Sequence, residues 1–416
     1  MGNPFFRLFP EEVYLTGRAY RWIILFLAWF IYFVFGLIFS AFAPLVTPIM
    51  SQLNLTHTEV GAIAGAWQLI YIFAAYPAGI VVDRLGYKKS LLLGLLTIST
   101  SSLLRGFATD FKTLLTYTAL FGLGGPMISI GLPKLIASWF TGDERGFAAG
   151  VYVSGTAVGS TMGLAFTNSL ILPLAGSWER VFIGYSIIGF FTAILWSLLG
   201  RRPPRGDLVG KTPRLGEGME DILRMKSVWL VVFIGISAFL VGHGIQNWLP
   251  KILEIKGYSA VEAGFIASLL SLSRIPGSVS IPRISYYIKS KKGALSLTLL
   301  STALLLPTLD ISRGGILILE TILLGFFIGG LMPLLLLIFM DMPEVGSRYM
   351  GITGGIFFSI GEIGGFSGPF LIGLLKDITG SFTAGMILLS LYTGAMILPT
   401  LTIRETTPDS KANTVN

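Results

Sequence analysis

Long runs of apolar residues alternate with short polar or glycine-containing breaks along almost the whole chain. Each run has about 20 residues, which is enough for an α-helix to cross a bilayer. The pattern therefore predicts an all-α membrane protein with twelve transmembrane helices. The predicted spans are 22–46, 58–82, 88–106, 113–140, 146–172, 181–199, 228–250, 260–285, 293–309, 314–340, 347–375 and 381–403.

One polar break is much longer than the others. Residues 201–226 are rich in Arg, Pro, Gly and Lys, and six predicted spans lie on each side of them. This composition is typical of a solvated linker. We therefore predict an N-terminal six-helix bundle at 1–200, a cytoplasmic linker at 201–226, and a C-terminal six-helix bundle with a short tail at 227–416.

Composition narrows the class of protein further. The chain is 53% hydrophobic and 12% charged, whereas a soluble protein is about a quarter charged. It contains no cysteine and only two histidines, so disulfides, thiolate nucleophiles and ordinary metal-ligand clusters are excluded. We find no nucleophile with a matching base either. The sequence predicts no enzyme, no metal site and no cofactor.

The basic residues lie mainly on one side of the predicted membrane. With the N-terminus inside, the inner segments hold 21 Lys and Arg residues and the outer loops hold 7. Positive charge is concentrated in the cytoplasmic loops of membrane proteins. We therefore predict a multi-pass protein of the cell membrane with both termini in the cytoplasm, and no nucleic-acid partner.

The two halves of the chain show signs of duplication. Residues 56–59 and 259–262 both have the [ST]-x-x-E form of a helix capping box, and they lie 203 residues apart. The fourth and tenth spans also share a glycine-rich pattern that ends in Pro133 and Pro333. Parallel repeats of this kind predict two pseudo-symmetric bundles.

The break between the second and third spans carries a specific motif. Residues 79–89 read GIVVDRLGYKK, which resembles the loop between the second and third helices of the major facilitator superfamily. The matching positions are Gly79, Asp83, Arg84, Gly86 and Lys88. Tyr87 departs from the family pattern, which usually has Arg there.

This resemblance implies the major facilitator fold and a latch between its two halves on the cytoplasmic side. Asp83 would then face the start of the eleventh helix near 348–351, and Arg145 in the next cytoplasmic loop would belong to the same gating region. A simpler alternative is that any short cytoplasmic hairpin collects Arg and Lys.

Three further segments resemble the cyanate/nitroimidazole-type permeases of this superfamily. They are 133–146, 248–264 and 275–283. The resemblance implies a small and often anionic substrate, with nitrate/nitrite and monocarboxylate porters as close competitors.

Arg274 is the strongest candidate for binding a substrate. It lies near the middle of the eighth span, where a charge is costly unless it is paired. Its planar guanidinium suits a carboxylate or another oxyanion. Glu362, in the eleventh span, could instead form a permanent ion pair with Arg274, or it could carry a proton that couples transport to a proton gradient.

Polar residues of the seventh and tenth spans are further candidates. His243 can relay protons or bind substrate, and Gln246 and Asn247 can donate hydrogen bonds to a polar ligand. A purely structural hydrogen bond between helices is an equal alternative for His243. Glu320 is a third proton-coupling candidate, although its position nearer the outer face favours a structural hydrogen bond.

The first half of the chain contributes candidates through the repeat. Tyr71 lies 203 residues before Arg274, so Trp67, Gln68 and Tyr71 are predicted to approach the same cavity. Tyr32 of the first span is a weaker companion. The alternative for each aromatic residue is simple packing.

Together these features predict a secondary active transporter that moves a small polar or anionic solute by alternating access and works as a monomer. The alternative is a proton-driven efflux pump for hydrophobic drugs. Such pumps carry a Gly-Pro signature in the fifth helix, and no proline lies between Ser154 and Leu172. A membrane sensor is disfavoured because 201–226 is too short to be an output domain.

Overall fold

The computed structural model describes residues 11–201, 219–342 and 344–403, with the backbone alone given for 11–18, 143, 219 and 346–351. This part contains eleven helices that are long and apolar enough to cross a membrane. The longest, His57–Arg105, turns at Gly86, whose φ of +75° favours glycine. It therefore comprises two spans, and the twelve predicted spans are present. Most of the predicted linker, at 202–218, and the tail from 404 lie outside the described residues.

The helices are numbered here in chain order. The first half contains α1 Glu11–Ser40, α2 Val46–Leu53, α3 His57–Arg105, α4 Phe111–Trp139, α5 Asp143–Phe166, α6 Leu172–Ala175 and α7 Trp178–Leu199. The second half contains α8 Met219–Arg224, α9 Lys226–Ile255, α10 Ala260–Tyr287, α11 Lys291–Thr308, α12 Gly314–Asp341, α13 Gly346–Thr379, α14 Thr383–Ala395 and α15 Ile397–Leu401. Short 3-10 and π-helical turns, Ala43–Leu45 and Thr167–Ile171, continue α1 into α2 and α5 into α6.

The helices form two six-span bundles, as the sequence predicts. In the first bundle α1 packs on α5, and α3 packs on α4 and α7. In the second, α9 packs on α13, α10 on α12, and α11 on α14. The bundles meet along two seams, α3 against α13 and α5 against α10.

The same close backbone contact occurs once inside each bundle. A Cβ placed on Gly122 of α4 would lie 2.2 Å from the carbonyl oxygen of Trp67 on α3. A Cβ on Gly325 of α12 would lie 2.3 Å from the carbonyl oxygen of Leu270 on α10. Gly325 and Leu270 each follow their counterparts by 203 residues, the offset that the sequence repeat predicts.

The helix starts of α3 and α10 also correspond. Thr56 and Glu59 form a complete capping box at the start of α3, and Ser259 and Glu262 form one at the start of α10. Each box satisfies free backbone N–H groups at a helix N-terminus.

The two ends of the molecule differ. We call the end with the Gly86 turn the Gly86 end, and the opposite end, with the loop at Asn54, the Asn54 end. At the Asn54 end, polar contacts join the bundles: the Asp377 carboxylate accepts hydrogen bonds from the backbone N–H (2.7 Å) and hydroxyl (2.6 Å) of Thr58. Lys251 also donates to the Thr47 hydroxyl at 2.8 Å.

At the Gly86 end, ion pairs between described residues lie within single bundles, among them the following three. Arg21 pairs with Glu144 and Lys134 with Asp83 in the first bundle, and Lys291 pairs with Asp341 in the second.

Glycines along the seams show the same difference. In the half near the Asn54 end, Cβ atoms placed on Gly61 and Gly264 would lie 2.5 and 2.6 Å from carbonyl oxygens of the opposite bundle. In the half near the Gly86 end, no described neighbour lies within 4 Å of such a position on Gly79, Gly150 or Gly354. At these glycines and among the described residues, the seams are therefore tight near the Asn54 end and open near the Gly86 end.

Candidate functional site

Four side chains from three helices meet where the bundles face each other. Trp67 and Gln68 come from α3, His243 comes from α9 and Glu362 from α13. The rings of Trp67 and His243 are 5.6 Å apart, edge to face. His243 Nε2 lies 3.7 Å from Glu362 Oε2. These four residues, here called the central cluster, bring the two bundles into contact.

A glycine gives the central cluster its compactness. A Cβ placed on Gly365 of α13 would lie 2.2 Å from Glu362 Oε2, 3.0 Å from Gln68 Cγ and 3.2 Å from His243 Cδ2. Any larger residue would push these three side chains apart.

The central cluster holds several buried polar atoms without protein partners. Gln68 is fully buried, and neither atom of its amide has a hydrogen-bond partner among the described residues. The same is true of Trp67 Nε1, His243 Nδ1 and Glu362 Oε2. Since buried polar groups are nearly always paired, this concentration of free donors and acceptors is suited to recognising a polar ligand.

Arg274 lies beside the central cluster, on the face of α10 that meets α9. Its Nη1 donates to Gln246 Oε1 at 2.7 Å, and its Nη2 donates to the carbonyl oxygen of Gly242 at 2.8 Å. Both acceptors are neutral, and Arg274 Nε has no partner among the described residues. The permanent pair with Glu362 is not formed, since Glu362 makes no ion-pair contact with Arg274 and its Oε2 lies 3.7 Å from His243 Nε2 instead. The guanidinium charge is therefore not neutralised by a carboxylate.

The other polar residues of α9 have distinct surroundings. Gln246 holds Arg274, as described. Asn247 donates through Nδ2 to the carbonyl oxygen of His243 at 2.9 Å. Trp248 is fully buried and donates through Nε1 to the carbonyl oxygen of Pro369 at 2.8 Å, so it packs between helices instead of anchoring at a membrane surface.

The two candidate tyrosines of the first bundle lie at different distances from the central cluster. The ring of Tyr71 is 6.1 Å from that of Trp67, and its hydroxyl lies 2.9 Å from Ser129 Oγ. Tyr32 packs against Phe35 and Tyr152 at ring distances of 5.6 and 5.8 Å. Tyr71 therefore adjoins the central cluster, whereas Tyr32 reaches it only through Phe35.

Glu320 is not brought to the central cluster. It is buried, and its Oε1 accepts a hydrogen bond from the hydroxyl of Thr308 on α11. Gly329 of the same helix packs on the backbone of Arg274. Glu320 lies nine residues before Gly329. That separation is about 13 Å along a helix. Glu320 Oε1 thus makes a hydrogen bond between helices, as the structural alternative expects, whereas its Oε2 has no partner among the described residues.

The Gly86 turn closes the loop between the second and third spans. Asp83, just before it, pairs with Lys134 of α4 in the same bundle. The expected contact of Asp83 with 348–351 cannot be described, because the side chains of those residues lie outside the described part of the chain.

The other loop candidates surround this turn. Lys88 is half-buried, and its carbonyl oxygen accepts a hydrogen bond from Trp196 Nε1 at 2.9 Å. Arg84 and Arg145 are exposed. Gly79 borders the open part of the α3–α13 seam.

Arg105 is a buried cation that sequence reasoning missed. It is the last residue of α3, and it is only 2% exposed. Its guanidinium carbon lies 5.7 and 5.8 Å from the ring centres of Phe121 and Phe182. The sequence signal was weak, because Arg105 stands at the edge of a predicted span and resembles a loop residue.

Comparison with known families settles what kind of protein carries this site. The family model of the Major Facilitator Superfamily matches residues 28–369, which include most of both bundles. The chain belongs to the Major Facilitator Superfamily. The resemblance seen in the 79–89 loop is thus confirmed.

Relatives within the superfamily are transporters. A D-galactonate transporter of Escherichia coli is 26% identical over 365 residues, covering 79% of this chain and 83% of that protein. A 2-nitroimidazole transporter of Escherichia coli is 27% identical over 362 residues, covering 85% and 88%. A hexuronate transporter of Bacillus subtilis is 24% identical over 363 residues, covering 82% and 84%.

A solved structure has the same fold. A bacterial homolog of the human lysosomal transporter Spinster, in an inward-facing and occupied conformation, matches with a TM-score of 0.72 at 16% identity, covering 92% of this chain and 95% of that chain. This likeness concerns the fold alone. The family match and the transporter relatives make the protein a multi-pass membrane protein and a secondary transporter of small molecules, and not an enzyme.

Proposed function

We propose that this transporter moves a small organic anion across the cell membrane and binds it beside Arg274. The observation that carries the proposal is a guanidinium at the bundle interface whose acceptors, Gln246 and Gly242, are both neutral. A carboxylate would supply the missing negative charge and would form stronger hydrogen bonds than an amide oxygen does. Relatives named for galactonate and hexuronate, which are carboxylates, agree with this substrate class.

The central cluster suits the remainder of such a substrate. Gln68 and Trp67 offer donors from the first bundle, and His243 offers a ring nitrogen from the second. A ligand that binds Arg274 and these groups together would touch both bundles. Asn247 and Tyr71 lie at the margin of this site.

The seams support alternating access. They are tight at the Asn54 end and open at the Gly86 end, so a substrate beside Arg274 can be reached from one end only. The distribution of Lys and Arg supports a cytoplasmic position for the Gly86 end and both termini, and with that orientation the state described here is inward-facing. Rocking of the bundles about the central cluster would expose the other end. One chain contains the whole pathway, so we propose that a monomer suffices.

Glu362 and His243 support proton coupling. Their side chains face each other at the bundle interface, with Nε2 and Oε2 3.7 Å apart, and His243 Nδ1 and Glu362 Oε2 have no hydrogen-bond partner among the described residues. A proton held there would change the charge next to Arg274 by one unit. Glu320, bonded to Thr308, is left out of this role.

An aromatic drug is the second candidate substrate. Rings of Phe39, Trp67 and Phe239 surround His243, with ring centres 5.6 to 6.2 Å away. Such a lining also suits a flat heterocycle, and the 2-nitroimidazole relative is named for one. Proton-driven efflux of such compounds would use the same cleft.

Transport by purified protein in liposomes tests the proposal. A panel of sugar acids, monocarboxylates, nitrate, neutral sugars and nitroheterocycles, with and without a pH gradient, first identifies a transported compound. Arg274→Ala is then expected to lower uptake of an anion about 10- to 100-fold at low concentration, because charged hydrogen bonds are lost.

Arg283→Ala is the matched control, since Arg283 is an exposed arginine of the same helix. It should transport normally. Undiminished anion uptake by a folded Arg274→Ala protein would refute the anion proposal, and transport confined to nitroheterocycles would favour the second candidate.

A further inference from the structure

Arg105 is a second arginine without a counterion. It is 2% exposed, and the described part of the chain gives its guanidinium neither an ion pair nor a hydrogen bond. Its neighbours are the rings of Phe121 on α4 and Phe182 on α7. The aromatic faces and the C-terminus of α3 both favour a cation. They do not supply an anion, and an isolated buried charge is costly.

A small void adjoins Arg105. Its volume is about 10 Å³, which is enough for one water molecule. Two other polar side chains face it, Thr118 of α4 and Asn247 of α9. Thr118 is buried, and its hydroxyl has no partner among the described residues. The remaining lining residues are apolar or aromatic: Phe39, Phe42, Ala64, Trp67 and Phe121.

The void lies between the central cluster and the Asn54 end. Ala64 is seven residues into α3 and Thr118 seven residues into α4, whereas Arg274 is fourteen residues into α10. All three helices start at the Asn54 end, so the difference is about 10 Å along the bundle. Trp67 borders both the void and His243, which makes the two places neighbours.

The lining comes from both bundles. Asn247 belongs to the second bundle, and the other lining residues belong to the first. Separation of the bundles at the Asn54 end would therefore widen the void and leave Arg105 and Thr118 on one wall.

We propose that Arg105, Thr118 and Asn247 form a second anion-binding subsite, which holds a carboxylate group on its way between the Asn54 end and Arg274. This inference rests on the proposed anion transport. The guanidinium, the hydroxyl and the amide N–H are all donors that a carboxylate accepts. In the closed state the void is too small for a carboxylate, so closure of the Asn54 end transfers the anion to Arg274.

The absence of cysteine allows a direct test of the local field. Thr118→Cys places one thiol at the subsite. In sealed vesicles that expose the Asn54 end, it is treated with two membrane-impermeant thiosulfonates, one bearing a sulfonate and one a trimethylammonium group. We expect the sulfonate reagent to be favoured, and we expect Arg105→Met to lower that preference about 10-fold while Arg105→Lys preserves it.

Thr109→Cys is the matched control. Thr109 is exposed at the same end and does not line the void. Its preference between the reagents should not change with Arg105→Met. The proposal is overturned if Thr118→Cys reacts with neither reagent in a transporting protein, or if its preference is the same with Arg105 and with Met.

Transport gives a second readout. For an anion that the unmodified protein carries, Arg105→Met should raise KM from the Asn54 side about 10-fold, and Arg105→Lys should restore it. A mere packing role would leave KM unchanged with Met, which would contradict the inference. If the unmodified protein carries no anion at all, the proposed function itself fails, so the two failures are distinguishable.

Discussion

At the scale of single residues, the interior of this transporter combines permanent positive charge with few acids. Arg274 is bonded to an amide and a carbonyl oxygen, and Arg105 lies between two aromatic rings. Guanidinium groups remain charged under all physiological conditions. Glu362 supplies the carboxyl group of the central cluster, which lies beside Arg274. Its charge should therefore decide whether a substrate anion or the protein supplies the negative charge.

Glu362→Gln tests this role. The amide keeps the size of the side chain and cannot exchange a proton, so a pH gradient should no longer drive accumulation of substrate. Exchange of labelled for unlabelled substrate across the membrane, which needs no net proton movement, should persist. Both are measured in liposomes with an imposed pH gradient.

Glu320→Gln provides the control for that measurement. Glu320 is also a buried glutamate of the second bundle, but it is bonded to Thr308. Its replacement should leave accumulation unchanged. Accumulation driven by a pH gradient in Glu362→Gln would rule out this carboxyl as the coupling group.

Residues of the site could be found in the sequence when their charge interrupted an apolar run. Arg274 and Glu362 stand out in this way, because a charged residue inside a span is rare and costly. Arg105 was missed because a residue at the edge of a span can lie either in water or in the interior. The hydrogen bond from Arg274 to Gln246 could not be predicted either, since the sequence does not show which side chain of the neighbouring helix lies opposite Arg274.

At the scale of helices, glycines decide how closely α1 approaches α5 and α9 approaches α13. A Cβ on Gly159 of α5 would lie 2.0 Å from the carbonyl oxygen of Phe33. A Cβ on Gly364 of α13 would lie 2.4 Å from that of Ile236. Helices in lipid gain little from hydrophobic burial, so such backbone contact is a main source of their association.

Gly159→Ala and Gly364→Ala should therefore destabilise the protein. The added methyl group must push two backbones apart, an overpacking that costs about 1–3 kcal/mol. The melting temperature of the purified protein in detergent is the measurement.

Gly79→Ala is the control for this helix-packing prediction. Gly79 has the same helical setting, but no described neighbour lies within 4 Å of the position of its Cβ. It should be neutral or stabilising by about 0.5–1 kcal/mol, because alanine restricts the unfolded chain. Equal melting temperatures for all three variants would show that the close contacts do not limit stability.

The sequence predicted this helix packing only in part. Apolar length predicted the spans, and Gly155, Gly159 and Gly163 repeat every four residues, which puts them on one face of α5. That this face packs on α1 within its own bundle could not be read from the spacing, because any neighbouring helix would accept it equally.

At the scale of the whole molecule, hydrogen bonds join the two bundles at the Asn54 end. Asp377 of α13 accepts two hydrogen bonds from Thr58 and contacts His57 at the start of α3. The sequence predicted the two bundles, but it did not predict that they are closed at the Asn54 end and open at the Gly86 end. A transporter must populate both open states with a small difference in free energy, so its sequence is compatible with either.

Cross-linking the two bundles at the contact between Thr58 and Asp377 tests alternating access. Thr58→Cys combined with Asp377→Cys places two thiols where the wild-type hydroxyl and carboxylate oxygens lie 2.6 Å apart. In a chain without other cysteines, a short thiol-to-thiol cross-linker should join the bundles and abolish transport. A reducible linker should restore transport on reduction, as measured by uptake before and after treatment.

A matched cysteine pair within one bundle distinguishes the effect of joining the two bundles from nonspecific damage by the cross-linker. Thr383 and Asp310 also form a hydroxyl–carboxylate contact of 2.6 Å at the Asn54 end, but both belong to the second bundle. Cysteines at these positions should cross-link without loss of transport, because the bundles remain free to rock. Undiminished transport by a fully cross-linked Thr58→Cys and Asp377→Cys protein would mean that the Asn54 end never opens, and the substrate would then need a different route to Arg274.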